Sequence, residues 1–249
     1  MGLDPDPGRL PSHLTDALPL PEAVSRFCKD IVAATSDSAV AFKINFAFFE
    51  ALGTHGYAAM GEVLDSIPAD VLTIADAKRG DIGNSASFYA RAVFDELGFD
   101  SITVSPYMGR DSVDPFLTRE GTCAFVLART SNPGSADFQQ LMIQDHPLFQ
   151  TVAERVVAWG KESRGEAGLV VGATDAGDLE TLRSILPDTP FLIPGVGAQG
   201  GSAEEVMKAS GSGPVLINSS RAVIYASDGE DYAAAARASA ELTRQRLGS

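Results

Sequence analysis

The chain has 249 residues, and 19 basic against 33 acidic side chains leave a formal charge of −14 at neutral pH. That length suits one large domain and lies close to the usual size of an eight-fold α/β barrel. A hydrophobic content of 45% excludes disorder. So acidic a chain repels phosphate backbones and anionic lipid heads, which argues against nucleic acid and membrane surfaces as general partners. Cys28 and Cys123 form no C-x-x-C pair and read as small buried residues in a reducing compartment. No apolar run approaches the roughly 18 residues of a membrane span, and neither a signal peptide nor a myristoylation site is expected, so the expected location is cytoplasmic. His13, His55 and His146 are widely spaced, and no metal site is expected from them.

Taken in order, short β-branched runs alternate with longer amphipathic stretches. Strands are expected at 1–4, 40–45, 71–76, 101–105, 123–129, 168–173, 190–195 and 214–219. Helices are expected at 21–35, 47–66, 84–97, 111–119, 147–163, 176–186, 202–209 and 231–247. Near-continuous apolar strands separated by helices imply a parallel sheet covered on both faces. Eight such units point to a single (β/α)8 TIM-barrel domain over 1–249 rather than an open sheet. No Gly-rich fingerprint follows the first strand, which counts against a dinucleotide fold. About seventeen residues, Thr130 to His146, separate the fifth strand from its helix, and a connection that long suggests a lid over about 130–146.

In such a barrel the active site lies at the C-terminal ends of the strands. The second strand ends near Lys43, and the third ends with Asp76-Ala77-Lys78 followed by Arg79-Gly80-Asp81-Ile82. Only five lysines occur in the chain, and two of them fall at these adjacent strand ends. A lysine inside the apolar run AVAFKINF is costly unless paired, and Asp76 is its natural partner. A D-x-K-x-x-D pattern alone fits a structural ion-pair network; its placement beside Lys43 at the catalytic rim favours a functional array of Lys43, Asp76, Lys78 and Asp81. The seventh strand runs into the Gly-rich segment Pro194–Gly201, and the eighth into Asn218-Ser219-Ser220-Arg221. Loops after these two strands commonly bind phosphate, and Arg221 adds a charge-assisted fork.

These residues resemble the orotidine 5′-phosphate decarboxylase family, in its longer bacterial variety. The stretch DAKRGDIGNSA (76–86) is similar to the family signature, and the likeness extends through GLDPDP (2–7), FKINFAFFEALG (42–53), SPYMGRDSVDPFL (105–117), RTSNPGSADFQ (129–139), PGVGAQGG (194–201) and SSRAVIYAS (219–227). The resemblance implies a cofactor-free barrel enzyme that converts orotidine 5′-monophosphate to UMP in pyrimidine biosynthesis. It further implies a homodimer with shared active sites. Lys78 then matches the lysine that protonates C6, Asp76 the carboxylate beside the leaving carboxylate, and Lys43 its pairing lysine. Asp81 and Ile82 match residues that enter the neighbouring subunit's site. Asp4 matches the ribose-binding aspartate, Ser131 the pyrimidine-binding serine, Gln199 the lid glutamine, and Arg221, preceded by Ser220, the phosphate-binding arginine. Leu127, Pro194 and Val196 become apolar neighbours of the base. The chain departs from the family in its short first strand, in Ser220 where many relatives have glycine, and in Ser105 where others have His or Asn.

Two rival readings are a sugar-phosphate lyase that binds Mg²⁺ and a catalytically silent nucleotide-binding barrel. The lyase generally places an acidic residue where Lys43 stands, and a metal cation is poorly tolerated beside an ammonium group. The intact set of Lys43, Asp76, Lys78 and Asp81 argues against the silent barrel.

Overall fold

In the computed structural model, residues 1–173, 176–195 and 203–248 are described. The strands of the main sheet are β1 (Gly2–Leu3), β2 (Ala41–Asn45), β3 (Leu72–Arg79), β4 (Ser101–Val104), β5 (Cys123–Arg129), β8 (Glu166–Val171), β9 (Phe191–Pro194) and β10 (Val215–Asn218). They neighbour one another in chain order, and a separate two-stranded hairpin, β6 (Met142–Ile143) and β7 (His146–Pro147), lies between β5 and β8 in sequence. Parallel register joins β1 to β2 to β3, and β4 through β5, β8 and β9 to β10. One residue beyond β10, the Ser219 carbonyl accepts a hydrogen bond from the Gly2 N–H at 2.8 Å, so the pairing returns to the first strand. Eight parallel strands in chain order, with helices between them, have the topology of a (β/α)8 barrel.

Two compact units make up the chain, one of residues 1–76 with 219–249 and the other of residues 77–218. In the first, α2 (Leu20–Thr35) and the terminal α10 (Tyr232–Arg246) are neighbours. Phe27 of α2 stacks between Tyr225 and Tyr232, with ring centroids 5.8 and 5.3 Å away. Phe27, Ile31, Phe42, Ile44 and Phe49 are fully buried, and each buried side chain of this size contributes about 1.5–3 kcal/mol. In the second unit, β5 and β8 pair with Phe125 opposite Gly168. A Cβ at Gly168 would come within 2.6 Å of the Phe125 ring, so the bare glycine makes room for the large side chain. Nearby, the buried Arg183 of α7 (Ala176–Ile185) donates to five backbone carbonyls, those of Leu186, Pro187, Thr189, Ser210 and Pro214, and lies 3.8 Å over the Phe191 ring. Burial lowers the proton affinity of its guanidinium, and the carbonyl ring compensates the desolvation.

Several expected elements take a different form. The helix expected over 47–66 is two helices, α3 (Phe46–Glu50) and α4 (Gly53–Asp65), because the chain turns at Gly53 with φ +65°. The expected 84–97 helix is α5 (Gly83–Ala90) continued by a wider π turn over Arg91–Glu96. At 111–119 there are only two 3-10 turns, Arg110–Ser112 and Asp114–Leu117. Pro115 lacks the N–H that a continuous helix needs and crowds the preceding turn. The segment 130–146 is not without structure, since it holds a 3-10 turn, Pro133–Asp137, and most of the hairpin. Two short helices outside the expected set also form, α1 (Ser12–Ala17) and α9 (Arg221–Ile224).

Candidate active site

The first unit brings four of the predicted residues together. Lys43 sits on β2, where Gly2 of β1 is its register partner on one side and Ile74 of β3 on the other. Its side chain is 6% exposed, so the ammonium needs a partner within the protein. The Asp76 carboxylate supplies one: Lys43 Nζ donates to Asp76 Oδ2 at 2.5 Å, and Asp76 is itself buried. A second carboxylate, that of Asp4, lies on the other side, with Oδ1 3.9 Å from Lys43 Nζ. Ser220 Oγ donates to Asp4 Oδ2 at 2.5 Å and also reaches the Gly2 carbonyl at 3.1 Å. Asp4 Oδ1 is buried and has no hydrogen-bond partner among the described residues. A carboxylate oxygen left so costs about 1–3 kcal/mol, a cost that an incoming hydroxyl donor would relieve.

Tyr225 fixes the backbone that carries Asp4. Its hydroxyl donates to the Asp4 carbonyl at 2.9 Å and accepts from the Asp6 N–H at 2.5 Å. Burial raises the phenol to about 12, and the Arg9 guanidinium lies 4.0 Å over the ring. Sequence reasoning noted Tyr225 only within a motif; nothing local in SSRAVIYAS indicates that its partners are residues 4 and 6. Arg221 opens α9 and is exposed to solvent, with Ser220 immediately before it.

In the second unit, Lys78 stands near the end of β3 with φ +46°, and its backbone N–H donates to Thr103 Oγ1 on β4 at 2.9 Å. Regular strand alternation predicts that residues two apart share a face. The left-handed backbone at Lys78 departs from that regularity, so the direction of its side chain does not follow from spacing alone. Arg79 returns to the sheet, accepting from the Ser105 N–H at 2.8 Å. A Cβ at Gly80 would stand 3.2 Å from the Ser105 carbonyl, so the signature's glycine permits a close approach. Asp81 Oδ1 accepts from the Ile82 N–H at 2.8 Å, and Ile82 is 55% exposed.

Ser131, half-buried, begins the segment after β5, and bare Gly172 backs it: a Cβ there would lie 3.0 Å from the Ser131 nitrogen. Its neighbours are tightly held. Arg129 donates through Nε to Asp178 Oδ2 at 2.7 Å, and through Nη1 to the Thr130 carbonyl at 2.8 Å and Ser135 Oγ at 2.6 Å. Gln139 closes the turn with its Oε1 accepting from the Thr130 N–H and its Nε2 donating to Thr130 Oγ1, both at 2.8 Å. Leu127 and Pro194 are half-buried near the ends of β5 and β9. Val196 and Gln199 lie outside the described residues. Among the described residues, no group of three or more His, Cys, Asp and Glu side chains is placed to hold a metal ion.

The chain matches the family model described as Orotidine 5'-phosphate decarboxylase / HUMPS family over residues 4–237. It is 49% identical to the orotidine 5'-phosphate decarboxylase of Herpetosiphon aurantiacus across 95% of this chain and 87% of that protein. With the Flavobacterium johnsoniae protein of the same name the identity is 46%, over 99% and 90% of the two chains. Among solved structures, Leishmania donovani OMP decarboxylase superposes with a TM-score of 0.83 at 36% identity, covering 100% of this chain and 92% of that one.

Proposed function

The chain belongs to the orotidine 5′-phosphate decarboxylase family and decarboxylates orotidine 5′-monophosphate to UMP in pyrimidine biosynthesis, and we propose that it does so without a cofactor, with Lys78 as the acid that protonates C6. The C6–carboxylate bond breaks, CO2 departs, and the electron pair left on C6 takes a proton from the Lys78 ammonium. Such a carbanion has no attached electron sink, so fixed positive charge must await it. Asp76 stands beside the leaving carboxylate, Lys43 holds Asp76, and Asp81 completes the charge array. The observation that carries this reading is the buried Lys43–Asp76 pair at 2.5 Å, with Asp76 on the strand that also bears Lys78. A buried pair of that kind is costly to assemble for stability alone.

Asp4 receives the ribose, which fits its unpartnered buried Oδ1. Ser131 binds the pyrimidine, while Arg221, Ser220 and Gln199 take the phosphate side, and Ile82, Leu127, Pro194 and Val196 line the apolar surroundings of the base. Phosphate lies far from the bond that breaks. Its binding energy is therefore available to order a lid over about 130–146 and to offset bringing two carboxylates together. The active form is a single-domain subunit in a cytoplasmic homodimer with shared sites, acting on neither nucleic acid nor membranes. Exposed Ile82, Phe88, Tyr107 and Met108 support a partner surface near the signature. Among the described residues no helix is long and apolar enough to cross a membrane.

The test is CO2 release from orotidine 5′-monophosphate by purified protein in the presence of EDTA. Undiminished turnover is expected. Metal dependence supports the sugar-phosphate lyase reading instead, and UMP binding without turnover supports the silent binder.

A further inference from the structure

We infer that Thr103 is a positioning residue for Lys78: its buried hydroxyl holds the lysine's backbone in the left-handed conformation from which the ammonium is presented. The inference rests on the reading of Lys78 as the proton donor, but its structural half stands on geometry. Among the described residues, two other than glycine have positive φ, Lys78 and Gln144. Gln144 lies in the turn between β6 and β7, where such angles are ordinary. Lys78 lies in β3, one residue from its end, where a side-chain-bearing residue at φ +46° is strained by its Cβ. Strain of this kind persists only where the surroundings over-determine it.

Lys78 is exposed within the chain, and the contact that bears directly on φ is on its backbone. In a regular parallel ladder the Lys78 N–H would pair with a main-chain carbonyl. Here it donates to Thr103 Oγ1 at 2.9 Å, and main-chain pairing is seen again one residue later, where Arg79 accepts from Ser105. Thr103 is 2% exposed and sits between Ile102 and Val104, both fully buried. Valine would serve the strand and the packing equally well at that position and would avoid burying a hydroxyl. What valine lacks is the acceptor. Without it the Lys78 N–H loses the Thr103 hydrogen bond, φ relaxes toward the extended region, and the Cα–Cβ direction swings with it. A misplacement of about 1 Å in a reacting group costs on the order of a hundredfold in rate.

The experiment compares Thr103→Val and Thr103→Ser in the full-length protein, reading kcat and KM for orotidine 5′-monophosphate and Kd for UMP. Thr103→Val should lower kcat by about ten- to a hundredfold while UMP affinity stays within about threefold, and Thr103→Ser should recover kcat to within about threefold of the parent. A wild-type kcat in the valine variant overturns the inference, as does parallel loss of kcat and UMP affinity or failure of serine to rescue. A second measurement is independent of turnover. Glycine has no Cβ penalty at φ +46°, so Lys78→Gly should unfold at higher denaturant than Lys78→Ala, and adding Thr103→Val should lower the midpoint less in the glycine background. Equal losses in both backgrounds remove the backbone coupling and overturn the inference, even if the valine variant alone folds too poorly for kinetics. Absence of turnover in the unmutated protein instead defeats the decarboxylase reading, and the glycine–alanine comparison then decides the coupling alone.

Discussion

Single residues here act mostly through where they hold the backbone, and Tyr225 gives the clearest case. One phenol oxygen bridges the Asp4 carbonyl and the Asp6 N–H, so it fixes the short loop from which the Asp4 carboxylate projects. The phenol is raised to about 12 in the folded chain, above the ordinary value near 10 that the unfolded chain restores. A group whose folded value is raised contributes its stability below the unfolded value and loses it as pH climbs through the folded one. Tyr225→Phe should therefore cost about 1 kcal/mol at neutral pH. It should also flatten the decline in stability that the parent shows from about pH 10 to 12. Urea unfolding of both proteins across that range is the check; parallel curves would detach Tyr225 from the alkaline loss. The thiols behave in the same direction, since burial raises Cys28 and brings Cys123 up to about 12, so neither is a ready nucleophile at neutral pH.

At the scale of elements, the segment after β5 is held at its root by Arg129. The Arg129 guanidinium ties the start of that segment to Asp178 of α7, and Gln139 folds the chain back on Thr130, leaving Ser131 between two fixed neighbours. Arg129→Met removes one partner of a largely buried pair and should cost about 3 kcal/mol or more. It should also speed limited proteolysis within 130–146 and raise KM for orotidine 5′-monophosphate. Arg129→Lys should repair little of this, because an ammonium cannot reproduce the fork that serves Asp178, Thr130 and Ser135 together. Unchanged cleavage in both variants would show that the segment is anchored elsewhere. The sequence made the strands of the sheet legible because most are short apolar runs bounded by turn residues, and strand ends directed attention to Lys43, Asp76, Lys78 and Asp81. The hairpin was not legible, since two strands of two residues each carry no periodicity. Thr103, Arg129 and Tyr225 were missed as functional supports for a different reason: each has partners on another element, and no spacing within its own strand or helix encodes them.

For the whole molecule, a charge of −14 and a substrate bearing both phosphate and carboxylate are reconciled only if positive charge is local. Lys43 is already matched by Asp76 and lies close to Asp4, so on the proposed reading the excess positive charge comes from Lys78 and Arg221, both exposed to solvent, while most of the acidic surplus faces water. The same reasoning bears on the proposed dimer. Asp81 is half-buried and its neighbour Ile82 is exposed within one chain, an arrangement that suits a carboxylate and an apolar side chain offered to a second copy. Two homodimers, one of Lys78→Ala and one of Asp81→Ala, should each be nearly inactive. A heterodimer of the two contains one site with neither group and one with both. Random reassortment of equal amounts makes half the dimers mixed, with half their sites intact, so activity should return to about a quarter of the parent value. Recovery should follow the rate of subunit exchange and be lost when exchange is blocked. Confirmed heterodimers that remain inactive would place Asp81 in the site of its own subunit and leave the exposed Ile82 to serve the interface alone.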